Sequence, residues 1–203
     1  MKRAFDIILA LAGLVILSPV LAVVALFIKC DSEGPVFFKQ ERVGRKFRPF
    51  LIYKFRTMRP PSAGGGFPLT VGRAPRITRV GWTLRKIKLD EIPQLINVLK
   101  GDMSFVGPRP EVPQFVELFR QEYTEILAVR PGITDLASLK YRDEAALLGK
   151  AEDPEREYLS HVLPDKIRLA KDYLRHSSFV FDLRLILKTL FKLFDYRTSS
   201  AKG

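Results

Sequence analysis

The sequence predicts an α+β protein, predominantly helical and monotopic, in which an N-terminal re-entrant helix-break-helix hairpin in the membrane carries a small cytosolic domain. Three observations predict it. The run Ile7–Ile28 is 22 residues without a charge and has basic residues on both sides. Four later segments repeat apolar residues at helical spacing, and two short segments are rich in aromatic and β-branched residues. A chain of 203 residues with 47% apolar content is long enough for one domain with its own core.

As a straight helix, Ile7–Ile28 would cover the roughly 30 Å of a hydrocarbon core. Ser18 and Pro19 stand in its middle. Pro19 has no amide hydrogen and its ring crowds the carbonyl of Val15, while Ser18 can bond back to the preceding turn, so a kink is expected there. Lys2 and Arg3 precede the run; Lys29, Lys39, Arg42, Arg45, Lys46 and Arg48 follow it. Lysine and arginine favour the cytoplasmic side, so both ends ask for the same face. A hairpin satisfies that and a straight single-span anchor does not. A cleaved signal peptide is disfavoured by the length of the run and the lack of a clean A-x-A site after it. Residues 1–30 are therefore assigned to a re-entrant membrane helix.

The net charge of +12 implies an anionic partner: nucleic acid, acidic lipid headgroups or a phosphorylated substrate. Cys30 is the only cysteine, which excludes an internal disulfide. No Cys/His cluster has zinc-ligand spacing, and His161 and His176 read as ordinary surface or core residues.

Eight basic residues and one acid, Glu41, lie between Lys39 and Arg59, and six more basic residues without an acid lie between Arg73 and Lys88. They are interleaved with "VFF" and "FLIYKF", which read as short strands, so the charge is mounted on folded structure. "PPSAGGGF", Pro60–Phe67, reads as a flexible flap or linker, and its glycines lack the Gly-Lys-Ser/Thr of a phosphate-binding P-loop.

In "LDEIPQLINVLKG", Leu89–Gly101, the residues Ile92, Leu95, Ile96 and Leu99 repeat at helical spacing, Pro93 suits a first turn, and Gly101 suits the C-terminal cap. "EVPQFVELFRQEYTEIL" from Glu111 and "PDKIRLAKDYL" from Pro164 read as core-packing amphipathic helices. In "FDLRLILKTLFKLFDYR", Phe181–Arg197, Leu183, Ile186, Leu187, Leu190, Phe191 and Phe194 form a wide apolar face opposite Arg184, Lys188 and Lys192. Such a helix either closes the core or lies in the lipid interface. Residues 179–203 are assigned as an amphipathic interfacial helix and tail.

Asp90 and Glu91 are the chemical oddity. Acids at a helix start commonly cap free amides and favour the helix dipole. These two, however, follow thirty residues without another acid and face a concentrated positive field. That suits a carboxylate that must approach a phosphate.

"KRAFDIILA", the Ser18-Pro19 break, "GPVFFKQERVG", "YKFRTM", "LRKIKLDEIPQLINVLKGDMSFVGPRP" and "RPGIT" occur in the order seen in bacterial sugar transferases of the monotopic phosphoglycosyl transferase family, which this chain resembles from Lys2 to about Leu136. It looks like the small form, without a multi-span extension, and residues 31–178 would be the cytosolic catalytic domain. The resemblance implies transfer of a sugar 1-phosphate from a UDP-sugar to a polyprenyl (undecaprenyl) phosphate at the cytoplasmic face of the bacterial inner membrane, with release of UMP. Asp90 would be the nucleophile, forming a covalent phosphosugar. Glu91 would hold Mg2+ together with Asp90 or assist proton transfer. Arg85 matches a phosphate-contacting position and Arg109 the segment associated with the nucleotide. Lys54, Arg56, Thr57 and Arg130 are further substrate-binding candidates, and Lys2, Arg3 and Asp6 would anchor the hairpin to headgroups and to the domain.

A departure falls after "RPGIT". Many members continue there with glycine and an aromatic, then a Gln-Val-Asn stretch; this chain reads "DLASLKYRDE", Asp135–Glu144, so its sugar pocket is expected to differ. The competing reading is a membrane-tethered basic module that docks on acidic lipid or nucleic acid without catalysis. It accounts for the charge but not for the acid pair, and base-stacking aromatic platforms are not evident, so nucleic acid is not expected as a partner.

Overall fold

The described residues are mostly helical, with two small two-stranded sheets. The computed structural model describes residues 1–59, 69–72 and 74–200, with side chains as far as residue 192. The Pro60–Phe67 loop, the Phe194 side chain and the end of the tail lie outside the described residues.

Helix α1, Lys2–Asp31, is the one helix among the described residues long and apolar enough to cross a membrane. It stays helical through Ser18 and Pro19, so the element expected as two helices and a break is assigned as one helix with Pro19 inside it. The local chemistry explains the continuity. Pro19 cannot donate to the Val15 carbonyl, but the Ser18 hydroxyl donates to that same carbonyl at 2.8 Å. The acceptor orphaned by proline is thereby satisfied from the neighbouring side chain.

Both halves of α1 pack on the rest of the chain. Arg3 donates to the carbonyls of Val98 and Leu99, at 2.7 and 3.2 Å. Buried Asp6 accepts from the Ser104 hydroxyl at 2.8 Å and the Phe105 amide at 3.1 Å. Ala10 and Leu14 pack with Leu95 and Val98, and Val24 and Ile28 pack with Phe55 and Leu84. Ile8, Leu11, Val15, Ile16, Val23 and Leu26 remain exposed.

Strands β1, Phe37–Val43, and β2, Pro49–Phe55, form an antiparallel hairpin in register Phe37 to Phe55 and Val43 to Pro49, as the aromatic-rich segments predict. Helix α2, Arg79–Lys86, follows, with Thr78 as N-cap accepting from the Gly81 amide. The single helix expected over Leu89–Gly101 is divided into a 3-10 turn, Leu89–Glu91, and α3, Gln94–Lys100. Pro93 sits at the joint, where it has no amide to continue a helical ladder back into the turn. Gly101 closes α3 with φ +90, a left-handed conformation that favours glycine.

A parallel pair, β3 at Ser104–Val106 and β4 at Gly132–Thr134, brackets α4, Pro113–Leu118, and α5, Arg120–Ile126. One helix was expected there; the backbone turns at Phe119 so that Phe115, Val116, Tyr123 and Ile126 all reach the main core. Short helices α6, Leu136–Lys140, α7, Glu144–Leu148, and α8, Pro154–Glu157, lead into α9, Leu163–His176, and α10, Phe179–Ser200. Helix α10 divides the apolar face read from the sequence. Leu185 is buried and Phe181 and Ile186 pack beside it, while Leu183, Leu187, Leu190 and Phe191 are exposed. Lys2 joins this helix to α1 through Asp182, 2.5 Å away.

A buried ionic network crosses the main core. Glu111, 4% exposed, accepts from Tyr158 at 3.0 Å and Lys166 at 3.3 Å, and its other oxygen lies 3.5 Å from Arg42. Burial alone would raise the Glu111 pKa, but Lys166 and Arg42 hold it below the usual carboxylate range. A depressed carboxylate contributes stability above its unfolded pKa, about 4.3, and loses it as pH falls through the lower folded value. Glu111→Gln is expected to lower unfolding free energy by about 3 kcal/mol at pH 7, because buried Arg42 loses its carboxylate partner and Lys166 keeps only Glu144, at 2.6 Å. The gap from the parent should close as pH is lowered below 4 in denaturant titrations; a pH-independent gap would contradict the charge account.

Candidate active site

Asp90 and Glu91 occupy the 3-10 turn ahead of α3, entered through Lys88 in a left-handed conformation with φ 59. That turn presses the two carboxylates against the end of β2 and the loop after β3. Glu91 Oε1 accepts from Lys54 Nζ on β2 at 2.7 Å and from Arg109 Nη2 at 2.7 Å, and Arg109 Nη1 reaches Oε2 at 3.5 Å. Glu91 Oε1 is therefore held by a lysine and an arginine, while Oε2 has only the longer contact with Arg109.

Asp90 differs. It is 8% exposed, and its Oδ1 is buried without a hydrogen bond from the described residues. Burial, then the neighbouring Glu91 charge, pushes its pKa up against the pull of Lys54, Lys88 and Arg85. For Glu91, burial also pushes upward, but Arg109 and Lys54 overcome it and hold the group well below the ordinary range. Burial lowers the Lys54 pKa against the pull of Glu91, whereas Glu91 raises that of Arg109 against burial. The adjacent carboxylates are thus driven in opposite directions, Glu91 by its ion pairs with Lys54 and Arg109 and Asp90 by its burial.

The loop carrying Arg109 is held by two glycines that permit backbones to touch. A Cβ on Gly132 would lie 2.1 Å from the Gly107 nitrogen, and one on Gly107 would lie 2.4 Å from the Arg130 oxygen. "VGPRP" and "RPGIT" are thus two sides of one close approach.

Of the residues singled out from the sequence, Asp90, Glu91, Lys54 and Arg109 come together, and Arg85 adds its charge from the last turn of α2, with Nη1 3.2 Å from Met58 Sδ. The others point elsewhere. Arg56 is buried and donates to the carbonyls of Ile28 and Ser32, at 3.2 and 2.6 Å, closing the C-terminal end of α1. Thr57 is buried and gives its carbonyl to the Thr78 amide. Arg130 donates from Nε to the Gly101 carbonyl at 2.8 Å. Lys2, Arg3 and Asp6 bond to the domain as described above.

Two residues here were not singled out from the sequence. Lys88 acts on both carboxylates and donates to the Arg142 carbonyl at 3.3 Å. Gln94 is 1% exposed, and neither polar atom of its side chain has a hydrogen-bond partner among the described residues. Beyond Lys88 opens a cleft of about 1000 Å³, lined by Lys140, Arg142, Glu144, Lys150 and Lys192 among others.

The family profile described as "Bacterial sugar transferase" matches residues 1–196. The chain is 41% identical over 199 residues to the exopolysaccharide production protein PSS of Rhizobium leguminosarum bv. phaseoli, covering 94% of this chain and 93% of that protein. It is 38% identical over 194 residues to the UDP-N-acetylgalactosamine-undecaprenyl-phosphate N-acetylgalactosaminephosphotransferase of Aeromonas hydrophila, covering 93% of this chain and 42% of that one. It is also 38% identical over 198 residues to the UDP-glucose:undecaprenyl-phosphate glucose-1-phosphate transferase of Escherichia coli K12, covering 96% and 40% respectively. The chain thus spans nearly the whole of the first relative and about two fifths of the other two. With a match that runs through the buried aspartate, its paired glutamate and the arginine loop, the chain belongs to the bacterial sugar transferase family.

Proposed function

We propose that this enzyme transfers a sugar 1-phosphate from a UDP-sugar to undecaprenyl phosphate in two steps, through a phosphosugar held covalently on Asp90. The observation that carries the proposal is the division between the carboxylates, Glu91 ion-paired and Asp90 Oδ1 unpartnered. The A. hydrophila and E. coli relatives are named for a uridine-nucleotide donor and undecaprenyl phosphate, which supports this donor and acceptor class. Their sugars differ, so no sugar is assigned.

In the first step an Asp90 carboxylate oxygen attacks the phosphorus attached to the sugar, and the bridging oxygen departs with UMP. Carboxylate and diphosphate repel one another, so the attack needs neutralising charge. Arg109 and Lys54, fixed by Glu91, supply it together with Arg85 and Lys88, whose charges also act on Asp90. In the second step an oxygen of undecaprenyl phosphate attacks the same phosphorus and releases the Asp90 carboxylate, giving the diphosphate-linked sugar.

Magnesium is part of the proposal. Among the described residues no group of three or more ligating side chains is present to cage an ion. Two carboxylates nevertheless fit an ion that ordinarily binds through one or two of them plus substrate phosphates, and the orphaned Asp90 Oδ1 and Glu91 would hold it. When bound it supplies charge neutralisation at the phosphate oxygens.

We place α1 in the cytoplasmic leaflet of the bacterial inner membrane as a re-entrant element. Support comes from Arg3 and Asp6 near its start and Ile28 near its end, which all bond or pack to the same domain, and from the exposed apolar residues between them. A straight crossing would carry the two ends to opposite sides of the hydrocarbon core, where one domain on one side could not hold both. The exposed stripe of α10, with Lys188 and Lys192, would lie at the same lipid surface.

The test is a panel of UDP-sugars offered to detergent-solubilised protein with magnesium, with and without undecaprenyl phosphate. One donor is expected to yield UMP up to about one equivalent per site without acceptor, and multiple turnovers with it. Release that strictly requires both substrates would contradict the two-step route.

A further inference from the structure

Arg109 is flanked by Pro108 and Pro110, neither of which has an amide hydrogen. The tip of its loop therefore offers one main-chain donor, the Arg109 N–H. Up to that point the loop is fastened to β4 by strand-like bonds: Gly107 N donates to Thr134 O at 3.2 Å, and Gly132 N donates to Pro108 O at 3.0 Å. At Arg109 the ladder passes to a side chain. Asp135, one residue beyond β4 and 3% exposed, accepts the Arg109 amide on Oδ2 at 3.1 Å.

The other Asp135 oxygen accepts the Ser138 amide at 2.6 Å, and Ser138 Oγ accepts the Asp135 amide at 2.9 Å, a reciprocal cap that starts α6. The carboxylate is thus held on one side by its own helix and holds the arginine loop with the other. Loss of that bond would free the one donor of a loop tip whose guanidinium is aimed at Glu91.

We infer that Asp135 is a positioning residue: through the Arg109 main chain it sets where the guanidinium stands beside Glu91 and Asp90, and hence how the donor diphosphate is held for attack. The consequence for turnover rests on the transfer chemistry proposed above; the clamp itself does not.

The test uses the full-length protein in detergent. Asp135→Ser keeps a residue favoured at a helix N-cap but is too short to serve α6 and the loop together; Asp135→Gly is the second variant, since glycine also serves as an N-cap. Ser138→Ala weakens the cap without touching the Arg109 bond. Hydrogen exchange is followed on a fragment spanning Gly107–Pro110, whose amides are those of Gly107 and Arg109. Both Asp135 variants are expected to speed Arg109 exchange by about tenfold or more and to lower kcat for UMP release by about tenfold, with a smaller change in donor KM. Ser138→Ala is expected to lower the melting temperature while leaving Arg109 exchange and kcat within about twofold. Unchanged Arg109 exchange in the Asp135 variants, or turnover that simply follows melting temperature across all three, would overturn the inference. If the parent protein releases no UMP from any donor, the transfer reading fails, and the exchange result still decides the clamp.

Discussion

Asp90→Asn should reduce UMP release from the donor by about 10⁴-fold or more, with the protein still folded and membrane-associated, because an amide of the same shape cannot act as the nucleophile. The size of the effect follows from the lack of a substitute. Glu91, the nearest other carboxylate, is tied to Lys54 and Arg109 at 2.7 Å each, so attack from it would require breaking both pairs. The change should be structurally mild. Oδ1 accepts no hydrogen bond from the described residues, and burial already disfavours the charged form. Thermal unfolding should therefore show Asp90→Asn at least as stable as the parent. Residual activity above a few percent would point to a different attacking group.

Glu91→Gln should act on both folding and turnover. Lys54 and Arg109 come from different elements, β2 and the loop after β3, and Glu91 draws them to one point. Without its charge two poorly exposed cations face one another, and unfolding free energy should fall by about 3 kcal/mol, read from denaturant titration. Both cations would also leave the positions from which they neutralise the diphosphate, so kcat should fall by about 10²–10³-fold. Asp90→Asn and Glu91→Gln therefore predict opposite patterns: activity lost at preserved stability in one, both lost in the other. Equal stability of the two variants would contradict the division of roles between the carboxylates.

Local chemistry was legible in the sequence where neighbours along the chain decide it. The β1–β2 hairpin, the Gly101 cap and the isolation of Asp90 and Glu91 in a basic region all follow from nearby residues. What was not legible depends on distant partners. Arg56 lies in a basic run and reads as a phosphate ligand, yet Ile28 and Ser32 supply carbonyls that draw it to the end of α1. Pro19 reads as a break, but whether a helix survives it depends on a replacement donor, which Ser18 provides. Asp135 reads only as a departure from similar proteins; its meaning appears once β4 is laid beside β3 and the proline-flanked Arg109 amide is found to lie against it. The same holds for Gln94, whose burial comes from tertiary packing that spacing alone does not foretell.

The account stands on a covalent intermediate, and intact-protein mass measurement tests it most directly. After incubation with an accepted UDP-sugar and magnesium but no undecaprenyl phosphate, the protein should gain the mass of one sugar phosphate, with fragmentation placing it on Asp90 and the gain disappearing when undecaprenyl phosphate is added. A protein that turns over both substrates yet never gains that mass, or gains it on another residue, would contradict the account.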